Sequence, residues 1–323
     1  LMALELRPFD FSDGDYAALV EIGRSNFPDD VFSVRLARES DALVLKEDRI
    51  LHRIVAAEGN EFIGHGQLRH IIWSFHPDRY WFFVTVRPDV QRRGVGSALA
   101  AALLQEAERL GARELHSATD DDQPAAIRFI EKLGFTEKER ERQSRLDLTA
   151  FDPEPFHSYV ERVRGTGITI TPLAELQENV ADWLDRLYDL YTDVEADTPW
   201  ELEYTKPSLE DFRAATVESD SFRPEAMFIA RDGEDWIGLT ELRVSDEGEH
   251  PLFQELTGTR SAYRRRGIAT ALKVRGMAWA RAAGYERVGT WNSTKNGPML
   301  AVNEKLGFRK LRETIEYERR FER

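Results

Sequence analysis

Apolar and polar residues alternate in Leu4-Glu5-Leu6-Arg7-Pro8, the period of two that predicts a short strand. Asp13 is placed to cap a helix running to about Ser25. Residues 27–48 mix both periods and predict no single element. Residues 50–57 read as a strand, Glu58-Gly59-Asn60 as a hairpin turn, and 61–72 as the returning strand, with Gly64 and Gly66 inside it. A further strand over 80–86 is stopped by Pro88. The period then lengthens. Val95, Leu99, Leu103 and Leu110 recur near helical spacing with Ala between them, a narrow apolar face suited to packing on a sheet. Gly111 follows, where a helix end favours positive φ. A strand over 114–119, a helix opened by Pro124 and closed by Gly134, and a strand over 143–148 complete this half.

Residues 149–167 contain Pro153, Pro155, Gly165 and Gly167 and read as a connection with a short helix over 156–163. The same order then recurs: strand 168–172, helix 180–191, an acidic Pro-interrupted loop 193–207, and a hairpin of 227–231 and 236–244 across Asp232-Gly233. A central strand over 251–259, a helix over 268–283, a strand over 287–291, a helix over 298–305 and a last strand near 313–319 follow. Gln91-Arg92-Arg93-Gly94-Val95-Gly96 is matched by Arg264-Arg265-Arg266-Gly267-Ile268-Ala269, 173 residues on (267 − 94). Glu131-Lys132-Leu133-Gly134-Phe135 and Gly111 recur at the same offset, as Glu304-Lys305-Leu306-Gly307-Phe308 and Gly284. Gly64 and Gly238 are 174 apart. Landmarks in one register imply a duplicated domain: 1–148, a linker over 149–165, and 166–323, as the length of 323 residues allows.

Hydrophobic residues make up 41% and charged residues 32%, the balance of a soluble globular protein. No apolar run approaches the roughly 20 residues of a membrane helix. No leader pattern opens the sequence. The absence of Cys excludes disulfides and thiolate chemistry and fits a cytoplasmic location. A net charge of −14 opposes non-specific binding to nucleic acid or anionic membrane, so basic turns in this chain point to a small, local anion.

Both basic turns lie between a strand and a helix start. A helix N-terminus offers unpaired N–H groups and partial positive charge to a phosphate. Gly94 and Gly267 let the backbone approach it without a Cβ, and the flanking Arg side chains add charge. The competing reading of each is a solvated basic surface turn. Neither turn carries G-x-G-x-x-G, which excludes a Rossmann fingerprint, nor the Gly-Lys-Ser/Thr of a Walker loop. His52, His65, His70, His76, His116, His157 and His250 show no metal-ligand spacing, so no metal is expected.

With these motifs each half resembles the GNAT acetyltransferase superfamily, whose turn reads Gln/Arg-x-x-Gly-x-Gly/Ala at a helix start and is followed later by Leu-Gly-Phe. The resemblance spans nearly the whole chain as a tandem pair. It implies two mixed α/β (α+β) domains, each a largely antiparallel sheet flanked by helices, with which the element order agrees. It also implies acetyl-CoA as acyl donor. Its pyrophosphate would lie on Gln91, Arg92, Arg93, Gly94, Val95, Gly96 and Ser97, or on Arg264, Arg265, Arg266, Gly267, Ile268, Ala269 and Thr270. Its pantetheine would bond to the backbone of Val84, Thr85 and Val86, or of Thr257, Gly258 and Thr259. The superfamily often has Asn at the start of the late helix; Asn296 stands there, against Gln123 in the first half, and Asn292 faces Thr119. Many relatives carry a proton-donating Tyr four residues before the Leu-Gly-Phe glycine. Here Ile130 and Asn303 occupy that place, and an amide is a poor acid; Tyr263, Tyr285 or water are the substitutes.

Acetyl transfer to an amine needs a proton acceptor. Glu255, opposite Phe82 in the repeat, and Glu241, opposite Gln67, are carboxylates of the second half alone. Period two would put Glu255, Thr257 and Thr259 on one strand face. The competing reading makes both Glu residues solvent-facing. Asp189, Asp193, Glu195 and Asp197 could meet a cationic amine or form a solvated loop, and Trp183, Tyr188 and Tyr191 read as helix-face core. The expectation is an N-acetyltransferase for a small primary amine, with chemistry in the second half. The alternatives are a non-catalytic acyl-CoA sensor and chemistry like that of mycothiol synthase, a tandem relative whose substrate no motif here fixes.

Overall fold

The computed structural model describes residues 4–27, 32–45, 49–199, 203–244 and 252–321. The chain divides into two compact units, one of residues up to Glu139 with the tail from Thr314, the other between Arg140 and Glu313.

The first unit contains β1 (Leu4–Pro8), α1 (Asp13–Asn26), α2 (Val34–Val44), β2 (Leu51–Glu58), β3 (Glu61–His70), β4 (Arg79–Val86), α3 (Val95–Arg109), β5 (Glu114–Asp120), α4 (Pro124–Lys132) and the start of β6 (Thr136–Asp147). The second contains most of β6, α5 (His157–Gly165), β7 (Ile168–Pro172), α6 (Leu173–Asn179), α7 (Trp183–Ala196), α8 (Leu209–Phe212), β8 (Met227–Asp232), β9 (Asp235–Val244), β10 (Leu252–Thr259), α9 (Ile268–Ala282), β11 (Arg287–Ser293) and α10 (Gly297–Leu306). The final strand, β12 (Arg309–Arg320), returns to the first unit from Thr314 onward.

In the first unit the strand order is β1-β2-β3-β4-β5-β12, antiparallel except between β4 and β5. In the second it is β6-β11-β10-β9-β8-β7, antiparallel except between β10 and β11. The last strand of each repeat therefore completes the sheet of the other repeat: β12 pairs with β5 and β6 with β11. The division at 148 and 166 follows the sequence repeat, whereas the compact units follow this exchange.

The core of the first unit lies between α3 and the sheet, with Leu99 and Leu103 fully buried against Leu68, Phe82 and Leu115. Burying each such side chain contributes about 1.5–3 kcal/mol. The Gly64 and Gly238 landmark has a packing cause. A Cβ at Gly64 would come within 2.9 Å of the Thr85 carbonyl oxygen, and one at Gly238 within 2.9 Å of that of Gly258.

Several elements differ from the sequence reading. The cap of α1 is Ser12, whose Oγ accepts from the Asp15 N–H, rather than Asp13. The unassigned 27–48 stretch contains α2, capped by Ser33. The 180–191 helix is α7, beginning at Trp183 and preceded by a separate α6. It runs on to Ala196, so Asp193 and Glu195 are helical rather than loop residues. Asp120, which ends β5 one residue beyond the expected strand, accepts a hydrogen bond from Thr314 Oγ1 at 2.8 Å. Pro251 and His250 lie outside the described residues.

Candidate active site

The two basic turns share one backbone. Arg92 and Arg265 have φ of 66° and 61°, and Gly94 and Gly267 have φ of 91° and 81°. Left-handed residues within such a turn aim successive N–H groups into one concavity, and the first N–H groups of α3 and α9 add to it. Each glycine is the N-cap of its helix. No atom lies within 4 Å of a Cβ built on Gly94, so glycine is required there by φ and not by space. A Cβ on Gly96 would lie 3.6 Å from the Phe129 ring, an ordinary contact, which explains why the second half has Ala269 at this place.

The side chains differ. Arg92 borders an open cavity, Arg93 reaches the Asp89 carbonyl at 3.4 Å, and Gln91 Nε2 donates to Val86 O at 3.0 Å. In the second turn Arg264 pairs with Asp197 at 2.5 Å, and Arg266 covers the Tyr263 ring at 4.9 Å. Arg260, just before it, pairs with Asp193.

Beside each turn two parallel strands part. Pairing of β4 with β5 covers Arg79–Trp81 only, and pairing of β10 with β11 covers Phe253 and Gln254 only. Val84, Thr85 and Val86 pair with β3 along one edge, and their other side borders a cavity of about 220 Å³ that also meets Gly96, Ser117 and Thr119. Thr257, Gly258 and Thr259 pair with β9 in the corresponding way. Nest, strand edge and cavity can together accept an elongated ligand with a diphosphate at one end.

The strand before the second turn carries a feature absent from the first. The register of β10 against β9 shifts between Gln254 and Thr257, so Glu255 and Leu256 together oppose Glu241. In the first unit Gln67 opposes Phe83 alone. This β-bulge corrects two expectations. Gln254, not Glu255, is the partner of Phe82, because both lie opposite equivalent residues, Leu242 and Leu68. Nor do Glu255 and Thr257 follow simple alternation. Gln254 and Thr257, which strict alternation would set on opposite faces, bond to each other at 3.1 Å in a buried network with Thr240.

The bulge brings Glu255 into a group with Glu241, Arg243, Glu195, Tyr191 and Tyr204. Glu241 is 1% exposed and committed: Arg243 Nε lies 2.9 Å from its Oε1 and the Tyr191 hydroxyl donates to its Oε2 at 3.0 Å. Burial opposes the Arg243 charge, but Glu241, Tyr191 and Glu255 outweigh it and hold the guanidinium above its ordinary range. Burial and then Glu241 hold the Tyr191 phenol well above its ordinary value. The Tyr204 hydroxyl donates to Glu195 Oε2 at 2.9 Å. Burial, with Glu241 adding, raises the Glu195 carboxyl.

Glu255 has no hydrogen-bond partner among the described residues. Its side chain is open to solvent on one side yet set within protein mass on the others. That loss of water, reinforced by Glu241 and Glu195 and opposed by Arg243, pushes its carboxyl up to about 7. It is therefore the carboxyl of the group left without a hydrogen bond among the described residues, while Glu241 is held in place.

Asn303 is 2% exposed, and its Nδ2 donates to Asn292 Oδ1 at 2.5 Å. The pair forms a fixed amide unit in which neither partner is an acid. Asn296 caps α10, accepting from the Met299 N–H at 3.3 Å, whereas Gln123 makes no such cap on α4. The Tyr263 hydroxyl donates to Asp232 at 3.2 Å, and Tyr285 packs on Trp279. Of the acidic run around α7 only Glu195 joins the carboxylate group. Tyr191 and Glu195, four residues apart in α7, share a helix face, and their spacing is the one signal in the sequence that links them. The donor atoms of Glu114, His116 and Glu318 lie within 4.8 Å of one another, but their carboxylates are bonded to Arg79 at 3.0 Å and to Lys138 and Arg320 at 2.9 Å.

The profile of the acetyltransferase (GNAT) family matches residues 16–135 and again 184–308. Mycothiol acetyltransferase of Saccharomonospora viridis is 26% identical over 270 residues, covering 79% of this chain and 82% of that protein. Mycothiol acetyltransferase of Streptomyces scabiei is 27% identical over 231 residues, covering 70% and 67%. Among solved structures, a tandem GNAT protein from the clavulanic acid biosynthesis pathway superposes with a TM-score of 0.71 at 17% identity, over 98% of both chains. A GCN5-related N-acetyltransferase from Sphaerobacter thermophilus gives 0.67 at 16% identity, over 98% of this chain and 95% of that one. With both halves matched and the fold shared end to end, the chain belongs to the acetyltransferase (GNAT) family and is a tandem N-acetyltransferase.

Proposed function

We propose that the second half transfers the acetyl group of acetyl-CoA to a primary amine of a small molecule, with Glu255 as proton acceptor. The observation that carries this reading is the Glu255 carboxyl, unpartnered among the described residues and pushed up to about 7, on the strand that leads into an anion-binding turn. Bound acetyl-CoA would supply a thioester whose carbonyl carbon the amine nitrogen attacks, forming C–N, breaking C–S and releasing the thiolate, which takes a proton from water to leave as the thiol. The nest at Arg265–Gly267 and the N-terminus of α9 would hold the diphosphate, and the free edge of Thr257–Thr259 would align the chain that follows it. Glu195, Glu241 and Glu255 outnumber the single Arg243 and favour a cationic acceptor. Glu255 takes the proton that the nitrogen must lose, a role for which a pKa near working pH is well matched. Glu241 and Arg243 position it through charge.

Thiol release from acetyl-CoA across a panel of small primary amines and aminoglycosides tests this reading. Saturable turnover with cationic amines, and none with the matching alcohols, is expected. Thiol release that no amine accelerates would contradict it. A second reading takes the acceptor from the mycothiol acetyltransferases, whose 26–27% identity extends across both halves. Preference for a mycothiol-type amine over the rest of the panel would select it.

A further inference from the structure

The first unit holds a second cavity, of about 300 Å³, bounded by α1, α2 and the β2, β3 and β4 strands. Phe27, Phe32 and Phe83 form apolar walls, and Arg69, His65 and Thr85 reach the same space. Arg53 and Asp41 also line it but satisfy one another, with two bonds of 2.8 Å. Arg53 further donates to Gln67, and the Tyr16 hydroxyl donates to Asp41 at 2.9 Å.

Arg69 is different. It donates to Ser40 Oγ at 2.9 Å and has no carboxylate partner among the described residues. Burial lowers its pKa, Arg53 adds to this, and Asp41 opposes it. Two further polar atoms at the cavity, His65 Nδ1 and Thr85 Oγ1, are buried with no hydrogen-bond partner among the described residues, in side chains that are each 5% exposed. Buried polar groups nearly always have partners. Burial pushes the His65 imidazole down to about 3, so it is neutral near pH 7 and adds no charge.

We propose that this cavity binds a small organic monocarboxylate, with Arg69 pairing the carboxylate, Thr85 and His65 completing its hydrogen bonds, and the aromatic walls taking the apolar body. One guanidinium without a carboxylate partner among the described residues matches one negative charge; a dianion would leave an excess. The charge is opposite to that of the Glu195, Glu241 and Glu255 group, so the site does not duplicate the acceptor site of the second half.

Calorimetric and thermal-shift titration of the full chain with phenylacetate, benzoate and hexanoate tests the proposal, with phenylacetamide and inorganic phosphate as comparisons. At least one carboxylate is expected to raise Tm and bind at a single site, with phenylacetamide and phosphate at least tenfold weaker. Arg69→Gln should weaken that binding by about tenfold or more, since it removes a charge-assisted pair. Its own Tm without ligand should not fall, because the half-buried cation that is lost has no carboxylate partner among the described residues. Thr85→Val keeps the shape and should weaken binding several-fold. Absence of binding by all three acids, equal binding of phenylacetamide, tighter binding of phosphate, or full affinity in folded Arg69→Gln and Thr85→Val would each overturn the proposal.

Discussion

Glu255→Gln is expected to lower kcat/KM for the amine by about 10²- to 10⁴-fold, the usual contribution of a positioned acid–base group, with the affinity for acetyl-CoA little changed. Gln keeps the shape of the side chain and removes the proton acceptor. In the parent, kcat/KM should rise with pH through about 7, where Glu255 loses its proton. In the variant that limb should vanish, leaving only the titration of the amine, so the deficit should narrow at alkaline pH. Stability supplies a control. The native carboxyl titrates near 7, above its ordinary value, so native Glu255 holds a proton that the unfolded chain has released between about 4.5 and 7. Its contribution to stability is therefore lost as pH rises through that window. Glu255→Gln should match the parent in Tm below pH 4.5 and exceed it above pH 7. An inactive variant with raised Tm at pH 8 points to chemistry; an inactive variant with lowered Tm points to misfolding.

Arg243→Met is expected to cost about 3–5 kcal/mol of stability near pH 8, the typical result of removing one partner from a buried ion pair. Glu241 would be left 1% exposed with its charge opposed only by the Tyr191 hydroxyl. The double variant Glu241→Gln, Arg243→Met should recover most of the loss. Arg243 also lowers the Glu255 pKa, so the pH limb of any residual activity should move upward. Denaturant unfolding at pH 6 and pH 8 reads the first effect. A loss under about 1 kcal/mol at both values would show the pair to be dispensable.

Much of this was legible in the sequence because it rests on local pattern. The two basic turns, their glycines and the helices after them follow from residues adjacent in sequence, and both turns do adopt one backbone. The duplication follows from spacing alone. What was not legible depends on pairing between distant residues. The exchange of β6 and β12 leaves no local trace, because backbone hydrogen bonds between strands do not depend on which side chains they carry. The bulge at Glu255 inserts one residue into β10 and so shifts a comparison that assumed a constant offset. Glu195 was read within a loop because Pro199 and Pro207 dominate the stretch, yet α7 reaches Ala196 before either. Arg243 lies within the 236–244 strand, and no local pattern marks that its guanidinium sits 2.9 Å from the Glu241 carboxylate. Asn296 and Asn303 stood at family positions, but capping and pairing give them structural partners that a motif does not show.

The central claim is that the second half performs the transfer, and paired turn variants test it most directly. Gly267→Glu and Gly94→Glu each put a carboxylate where a diphosphate would lie, at equal backbone cost, since both sites have positive φ. Like charges brought together cost several kcal/mol, or about 10²-fold or more in cofactor use. The measurement is steady-state turnover of acetyl-CoA with a saturating amine. Gly267→Glu is expected to lose about 10²-fold or more, and Gly94→Glu to stay within a few-fold of the parent. Loss with Gly94→Glu and retention with Gly267→Glu would place the reaction in the first half and contradict the claim.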